Sequence, residues 1–427
     1  MLLRAVLVML LAAPLAGRAD DLLQVWRQAR SADPVLAAAD AARGIVREGV
    51  AQARAPLLPQ ATASVSFEQN HLAGRDDNRA RGASVGVNQV LVDLAQQRRL
   101  QAARSNADAQ DASFSAAEQA LYVRVAQAYF DVLLASDTLA IVAANEDAFR
   151  QQVEQADQRF RNGLTALVDV EQARAYHASA RANTIAAHKA LADAHEALAE
   201  ITGDTPGPLR PLRDTLPMDP PTPAESQAWV DAALAQNPLL RAQRATLTAA
   251  EDNIAAARAG HLPTLSAALN SGRNSAWPLA AGNDGRSVTT VGLLLNVPLF
   301  AGGGTASLQR QALYQRDGAR DELEQRRRRV VREVQERYRA VVAGIGQTEA
   351  TGAAVDAARK ALASTRVGQG LGTQSMTDLL LAIQTLSATQ GAYSLARHQF
   401  VLSRLLLQQA AGAVGEADLA AINSLLQ

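Results

Sequence analysis

Four short stretches of the chain alternate apolar and polar residues with a period of two. Ala61, Ala63, Val65 and Phe67 alternate with Thr62, Ser64 and Ser66, and Ala83, Val85 and Val87 with Ser84, Gly86 and Asn88. Farther on, Leu265, Ala267 and Leu269 alternate with Ser266, Ala268 and Asn270. Val291, Leu293, Leu295 and Val297 alternate with Gly292, Leu294 and Asn296. Period two predicts strands with one apolar face and one small or polar face. They pair as two hairpins, within 61–92 and 264–299, with hydrophilic tips at 71–82 and 273–286.

The rest of the pattern is helical. Helices are predicted over 22–55 and 224–260, stopped by Pro56 with Pro59 and by Pro263. From Asp93 to about Phe160 there is no proline, which allows one helix of roughly 100 Å at about 1.5 Å per residue. Leu121, Val125, Ala128, Val132, Ala135, Leu139 and Val142 are spaced four and three in turn. That is a coiled-coil seam with small knobs. Val330, Val334, Tyr338, Val341 and Ile345 mark a similar face later in the chain.

The order repeats. Asp33-Pro34-Val35-Leu36 returns 204 residues later as Asn237-Pro238-Leu239-Leu240, and Leu58-Pro59 as Leu262-Pro263. Asn88 to Leu91 returns after 208 residues as Asn296 to Leu299. Tyr129, Gly163 and Asp169 return after 209 as Tyr338, Gly372 and Asp378. Such ordered matches indicate two structural repeats. The first spans 20–203, with its helix pair over 93–203; the second spans 224–412, with its helix pair over 302–412. Between them, 204–223 carries seven prolines and reads as an extended linker. Residues 413–427 form a tail. The fold class is mainly α, with long coiled-coil helices and a small β part.

Residues 1–19 have the form of a secretory leader: Arg4, then a twelve-residue apolar stretch, then Gly17-Arg18-Ala19 for cleavage. The leader is too short to span a bilayer, and no later segment is expected to approach one. The chain has 427 residues, with 42 basic and 42 acidic side chains and no cysteine. Zero net charge argues against a nucleic-acid partner. The absence of cysteine excludes disulfides, Cys zinc sites, thiol catalysis and lipid anchoring on Cys. It also suits an oxidising compartment.

The alternating strands and polar tips fit strands that face lipid on one side and a lumen on the other, although a soluble sheet has the same period. A sheet in lipid must close, because open edges strand N–H and C=O groups in hydrocarbon. Four strands are too few for a barrel, so membrane strands here require several chains.

The order of leader, helix, hairpin and long helix pair, repeated twice, resembles the TolC family of outer-membrane factors. The strings Asp21-Leu22-Leu23-Gln24-Val25, Ala55-Pro56-Leu57-Leu58-Pro59-Gln60, Gly260-His261-Leu262-Pro263-Thr264 and Gln158-Arg159-Phe160, followed by Gly163-Leu164 and Asp169-Val170, carry the likeness. The resemblance implies a homotrimer with a twelve-stranded barrel in outer-membrane lipid and an α-helical tunnel in the periplasm. It implies docking to a periplasmic adaptor protein and to an inner-membrane pump, either a proton-driven transporter of the RND type or an ATP-driven ABC exporter. The cargo would be drugs or, in type I secretion, proteins. It also implies that the periplasmic mouth closes where the helix pairs turn, with Gly163 and Gly372 as turn residues. Asp378 then matches an aspartate ringing the narrowest point, and Asp169 one that takes part in closing links. Three carboxylates around one axis favour cations, invite block by multivalent ones and raise at least one pKa. Gln369 and Gln374 stand where the family pattern has a Tyr and an Arg, Leu381 where it has a second aspartate, and Val168 where it has a threonine. Arg161 and Arg366 lie close enough in sequence to be substitute partners. Asp169 and Asp378 are equally placed to act as helix caps.

Weaker signals point elsewhere. His188 and His195, seven apart, share a helical face with Glu196 beside them, where solvated side chains are a simpler reading than a metal site. Gly302-Gly303-Gly304 lacks the Gly-Lys-Ser/Thr ending of a phosphate loop and reads as a strand-to-helix corner. Arg326–Arg329 is flanked by Glu322, Glu324, Glu333 and Glu336, so it reads as a solvated face. No cofactor, metal or catalytic constellation is expected. The alternative to a channel is a soluble periplasmic coiled-coil adaptor.

Overall fold

The computed structural model describes residues 20–71, 78–277 and 284–427. The leader and the apexes of both hairpins lie outside the described residues. The element order is α1 (Leu22–Ala32), α2 (Pro34–Arg54), β1 (Gln60–Asn70), β2 (Asn78–Val92), α3 (Leu94–Arg161), α4 (Leu167–Thr202), α5 (Ser226–Gln236), α6 (Pro238–Ala259), β3 (Thr264–Trp277), β4 (Asp284–Asn296), α7 (Gly304–Gly370), α8 (Met376–Ala411) and α9 (Glu416–Asn423). Two compact units result, and each draws on both repeats. One comprises the described residues up to Ala37 with Ala117–Asn237 and Val330–Gln427; the other comprises those of Ala38–Ala116 and Pro238–Arg329.

In the first unit, each of the two leading helices expected as one piece is broken. Asp33 and Asn237 leave the helical region, with ψ near 116° and 120°, because the proline that follows each disfavours a helical residue before it. Asp33 then caps α2, its carboxylate accepting from the Leu36 N–H at 2.8 Å, and takes both arms of the Arg124 guanidinium. Burial pushes this carboxyl up, but the Arg124 and Leu36 bonds outweigh it and hold it below the usual carboxylate range. The proline-rich 204–223 is free of helix, as its composition requires, yet it is bound in place. Asp20 bridges Leu209, and Leu212 bridges Leu426. The expected tail folds too: α9 buries Leu419 and Ile422, and Asn423 accepts from the Leu22 N–H at 2.9 Å. Leu121, Val125, Ala128 and Val132 of the seam are buried, while Ala135, Leu139 and Val142 are half-buried. One stretch of α3 is apolar enough to pass for a membrane-crossing helix, contrary to expectation. The Ala, Leu and Val of a packed seam produce the same average as a lipid-facing span.

In the second unit the four strands form one antiparallel sheet in the order β1-β2-β3-β4. The strands run well past the alternating cores and take up much of what was expected as polar tip. Ladder pairing continues to Asn70↔Asn78 and Arg79↔Trp277. Gly82 and Gly86 make this sheet tight: a Cβ on either would come within 2.7 Å of the Asn274 or Asn270 side-chain oxygen. Helices root the hairpins. Asp93 caps α3 through the Gln96 N–H at 2.9 Å, and the Gln96 and Gln89 amides donate to the Ala53 and Leu57 carbonyls. Gly302 and Gly303, both with positive φ, make the corner into α7.

Candidate functional site

Two places carry the chemistry: the turns that join the long helices, and the sheet. Both turns are built alike. In the first, Gly163 has φ +73° and the Leu164 N–H reaches back to the Arg159 carbonyl at 2.8 Å. In the second, Gly372 has φ +76° and the Thr373 N–H reaches the Gly368 carbonyl at 2.8 Å. These are Schellman ends, which require a left-handed residue that glycine adopts cheaply. An apolar cluster packs the two turns side by side: Phe149 and Ala156 of α3, Val170 and Ala173 of α4, Leu362 of α7, and Met376, Leu379 and Leu380 of α8.

Asp378 is exposed and sits at the third position of α8, one turn inside the cap. The cap is Ser375, whose hydroxyl accepts from the Asp378 N–H at 3.1 Å. The Asp378 carboxylate accepts in return from the Ser375 N–H at 3.0 Å and hydroxyl at 2.7 Å. These bonds hold its carboxyl below the usual range within one chain. Asp169 occupies the same position in α4, but the capping residue there is Ala166 and makes no side-chain bond; the Thr165 hydroxyl bonds the Asp169 carboxylate. Neither aspartate is itself the cap. Gln374 lies along the bare backbone of Gly368. Among the described residues, the Gln369 and Gln374 amides make no side-chain hydrogen bond, and Arg161 and Arg366, both exposed, make no ion pair.

The links that do join helices here were not singled out by the sequence. The Thr377 hydroxyl donates to Gln172 at 2.9 Å, tying α8 to α4, and Arg174 pairs with Asp157 at 3.1 Å, tying α4 to α3. Both are polar pairs distant in sequence, and only the helix pairing brings them together. Leu164 and Leu371 are bare at the turns, with Leu167, Val168, Val367 and Leu381 also exposed. No cluster of three His, Asp or Glu side chains suited to a metal occurs among the described residues.

The sheet register puts one largely apolar face across all four strands, interrupted by Ser271 and Thr289, which bond each other at 3.0 Å. Ala63 lies opposite Val85 and Val65 opposite Ala83; Val87 lies opposite Leu269, which lies opposite Val291; Ala267 lies opposite Leu293 and Leu265 opposite Leu295. Among the described residues nothing covers this face: Phe67 is 75% exposed and Leu293 73%. The other face carries Thr62, Ser64, Ser84, Asn270 and Thr290, with Ser64 bonded to Ser84 at 2.8 Å.

A family model described as "Outer membrane efflux protein" matches residues 25–204 and 229–413. The chain belongs to the outer membrane efflux protein family. The unmatched stretch between the two segments contains the proline-rich region. The chain is 35% identical to the outer membrane protein TolC of Vibrio cholerae over 95% of this chain and 94% of that protein. It is 32% identical to TolC of Escherichia coli, over 96% and 86%. It is also 29% identical to the alkaline protease secretion protein AprF of Pseudomonas aeruginosa, over 72% and 65%. Among solved structures, CusC superposes with a TM-score of 0.81 at 21% identity, over 93% of both chains, and the outer membrane protein VceC of Vibrio cholerae with 0.79 at 20%, over 92% and 96%. This efflux-family chain is therefore an outer-membrane channel protein. The relatives are named for efflux and secretion rather than for catalysis.

Proposed function

We propose that three copies of this chain close their sheets into one twelve-stranded barrel and form a passive export duct. An inner-membrane pump, reached through a periplasmic adaptor, drives it. The observation that carries this reading is the sheet. Among the described residues it has an uncovered apolar face and two unpaired outer edges, on β1 and β4. Lipid tolerates the face only if the edges close, and three times four strands is enough to make a barrel. The apolar side chains bare at the helix turns, Leu164 and Leu371 foremost, suit docking of an adaptor. Relatives named for protease secretion and for efflux support both an ATP-driven exporter and a proton-driven drug pump as partners.

The same reading makes the turns the mouth, with Asp378 as a ring of three carboxylates and Asp169 close by. Ser375 already favours the charged form of Asp378, and repulsion within the ring acts against that. Gln369 and Gln374, whose amides make no side-chain hydrogen bond among the described residues, link neighbouring copies by neutral bonds. Such bonds contribute about 0.5–1.5 kcal/mol against about 1.5–3 for charged ones, so the mouth closes weakly unless Arg161 and Arg366 supply charged links.

The test is conductance of the purified full chain in planar bilayers. Steady conductance favouring cations is expected, blocked from one side by a trivalent cation such as hexaamminecobalt. Asp378→Asn should weaken that block about tenfold. No conductance from wild type would falsify the duct, whereas unchanged block in the variant removes only the ring.

A further inference from the structure

Above the apolar band, the same face of the sheet turns basic. Arg81 lies opposite Phe67 on one side and Ser275 on the other; Arg79 lies opposite Gln69 and Trp277; Arg273 lies opposite Ala83 and Ser287. Period two therefore puts all three arginines on the lipid-facing side. Arg81 and Arg273 are diagonal neighbours, within reach of long side chains. All three are exposed, and none makes an ion pair among the described residues. The nearby acid on β1, Glu68, pairs with Ala80 and faces the other way. A seat is also built for Arg273: a Cβ on Gly285 would lie 3.5 Å from its Nη2, so the guanidinium rests over that glycine.

The height of this cluster is informative. Along β3, Leu265 to Arg273 is eight residues, about 27 Å of strand and roughly 20 Å of height at the usual tilt of such barrels. Along β2, Val92 to Arg81 gives roughly 27 Å. The apolar band of such barrels is about 25 Å tall, so the arginines stand where acyl chains end and headgroups begin. Trp277, 73% exposed, stands at the same level, as interfacial aromatics do. The hairpins are rooted on helices at their other end, so this level belongs to the outer leaflet.

We propose that Arg79, Arg81 and Arg273 form a binding site for the phosphates of an outer-leaflet lipid, a phosphorylated multi-acyl glycolipid of the lipid A type. The inference rests on the barrel reading above. The chemistry selects the class of lipid. Three guanidiniums grouped on one face, none of them ion-paired among the described residues, match two closely spaced phosphates, which they bind through forked hydrogen bonds. A zwitterionic headgroup would instead bring an ammonium against them. The largely apolar face beneath, with Phe67, Val65 and Val85 nearest the arginines, selects a lipid over a free anion, because it receives the acyl chains of the molecule whose phosphates the arginines hold.

The test is native mass spectrometry of the full-length oligomer in detergent, titrated with bisphosphorylated lipid A and with its dephosphorylated form. Wild type should retain the phosphorylated form at least tenfold better, and millimolar inorganic phosphate should not displace it. The triple variant Arg79→Gln, Arg81→Gln, Arg273→Gln should lose that preference while keeping its oligomer mass and conductance. The corresponding triple Lys variant should recover a substantial part of it. Equal retention of the two lipids by wild type, equal preference in wild type and Gln variant, or displacement by inorganic phosphate would each overturn the site. If the variant conducts but keeps the preference, the inference fails and the duct stands. If wild type neither assembles nor conducts, the duct reading fails and takes this one with it.

Discussion

Tyr129 and Tyr338 lie 209 residues apart and do the same work. Tyr129 is fully buried; its hydroxyl donates to the Asp20 or Arg210 carbonyl, at 3.1 and 3.0 Å, and accepts from the Arg210 N–H at 3.0 Å. Tyr338 donates to the Ala224 carbonyl. Asp20 and Ala224 are themselves 204 residues apart, each just before the first helix of its repeat. Burial pushes the Tyr129 phenol well above its usual pKa, so it remains a donor at every physiological pH. Tyr129→Phe removes the hydroxyl's bonds to the Asp20 and Arg210 backbone, at about 0.5–1.5 kcal/mol each, and should cost about 1–3 kcal/mol. Tyr338→Phe, at a more exposed site, should cost less than about 1 kcal/mol. Thermal melting of the two variants side by side checks this, and equal losses would contradict it. The sequence showed the tyrosine repeat plainly. It did not show what the hydroxyls hold, because their partners at Asp20, Arg210 and Ala224 are backbone atoms about a hundred residues away that no side-chain pattern marks.

At the scale of helices, periodicity predicted the seam, and polar groups inside the packed helices came as an addition. His398 of α8 is 4% exposed. Its Nδ1 bonds the Ser394 carbonyl at 2.8 Å, and its Nε2 lies 3.9 Å from Asp137 of α3. Burial and the neighbouring Arg397 push this imidazole below its usual value near 6.5 against the pull of Asp137 and Asp131. The unfolded chain therefore takes up the proton first. The stability due to neutral His398 is complete above about pH 6.5 and is lost as pH falls from there towards the folded value. Melting temperature should drop as pH falls below about 6.5, and His398→Phe, beside the Phe130 ring, should flatten that drop; an unchanged slope would reject His398 as its source. Strand ends were the other misjudged feature at this scale. Apolar alternation stops at Phe67 and Ala83, but backbone pairing needs no apolar side chain and carries on through Arg79 and Arg81.

For the whole molecule, the apolar sheet face separates a membrane channel from a soluble adaptor. Val291 is 78% exposed in the middle of that face, and Thr290 points to the other. Val291→Lys should cost about 2–4 kcal/mol per chain in a bilayer and greatly reduce recovery of assembled protein from the outer membrane. Thr290→Lys, in the lumen, should assemble normally. If both variants assemble equally well, that face does not meet lipid.

Local pattern was enough to determine the element types, the two repeats, the glycine turns and the polarity of each strand face. Side-chain period and the restrictions of proline and glycine act within a few residues, so the sequence alone displays them. The break at Asp33 and Asn237 also had its local cause in the following proline. Only the tertiary structure decided how the repeats are shared between the two compact units, that the tail and proline-rich segment are bound in place, and that Ser375 caps α8 with Asp378 answering it from inside the helix. It alone aligned the four apolar strand faces into one surface with three arginines at its rim. Those outcomes depend on register and on contacts between residues hundreds of positions apart, which no local pattern encodes.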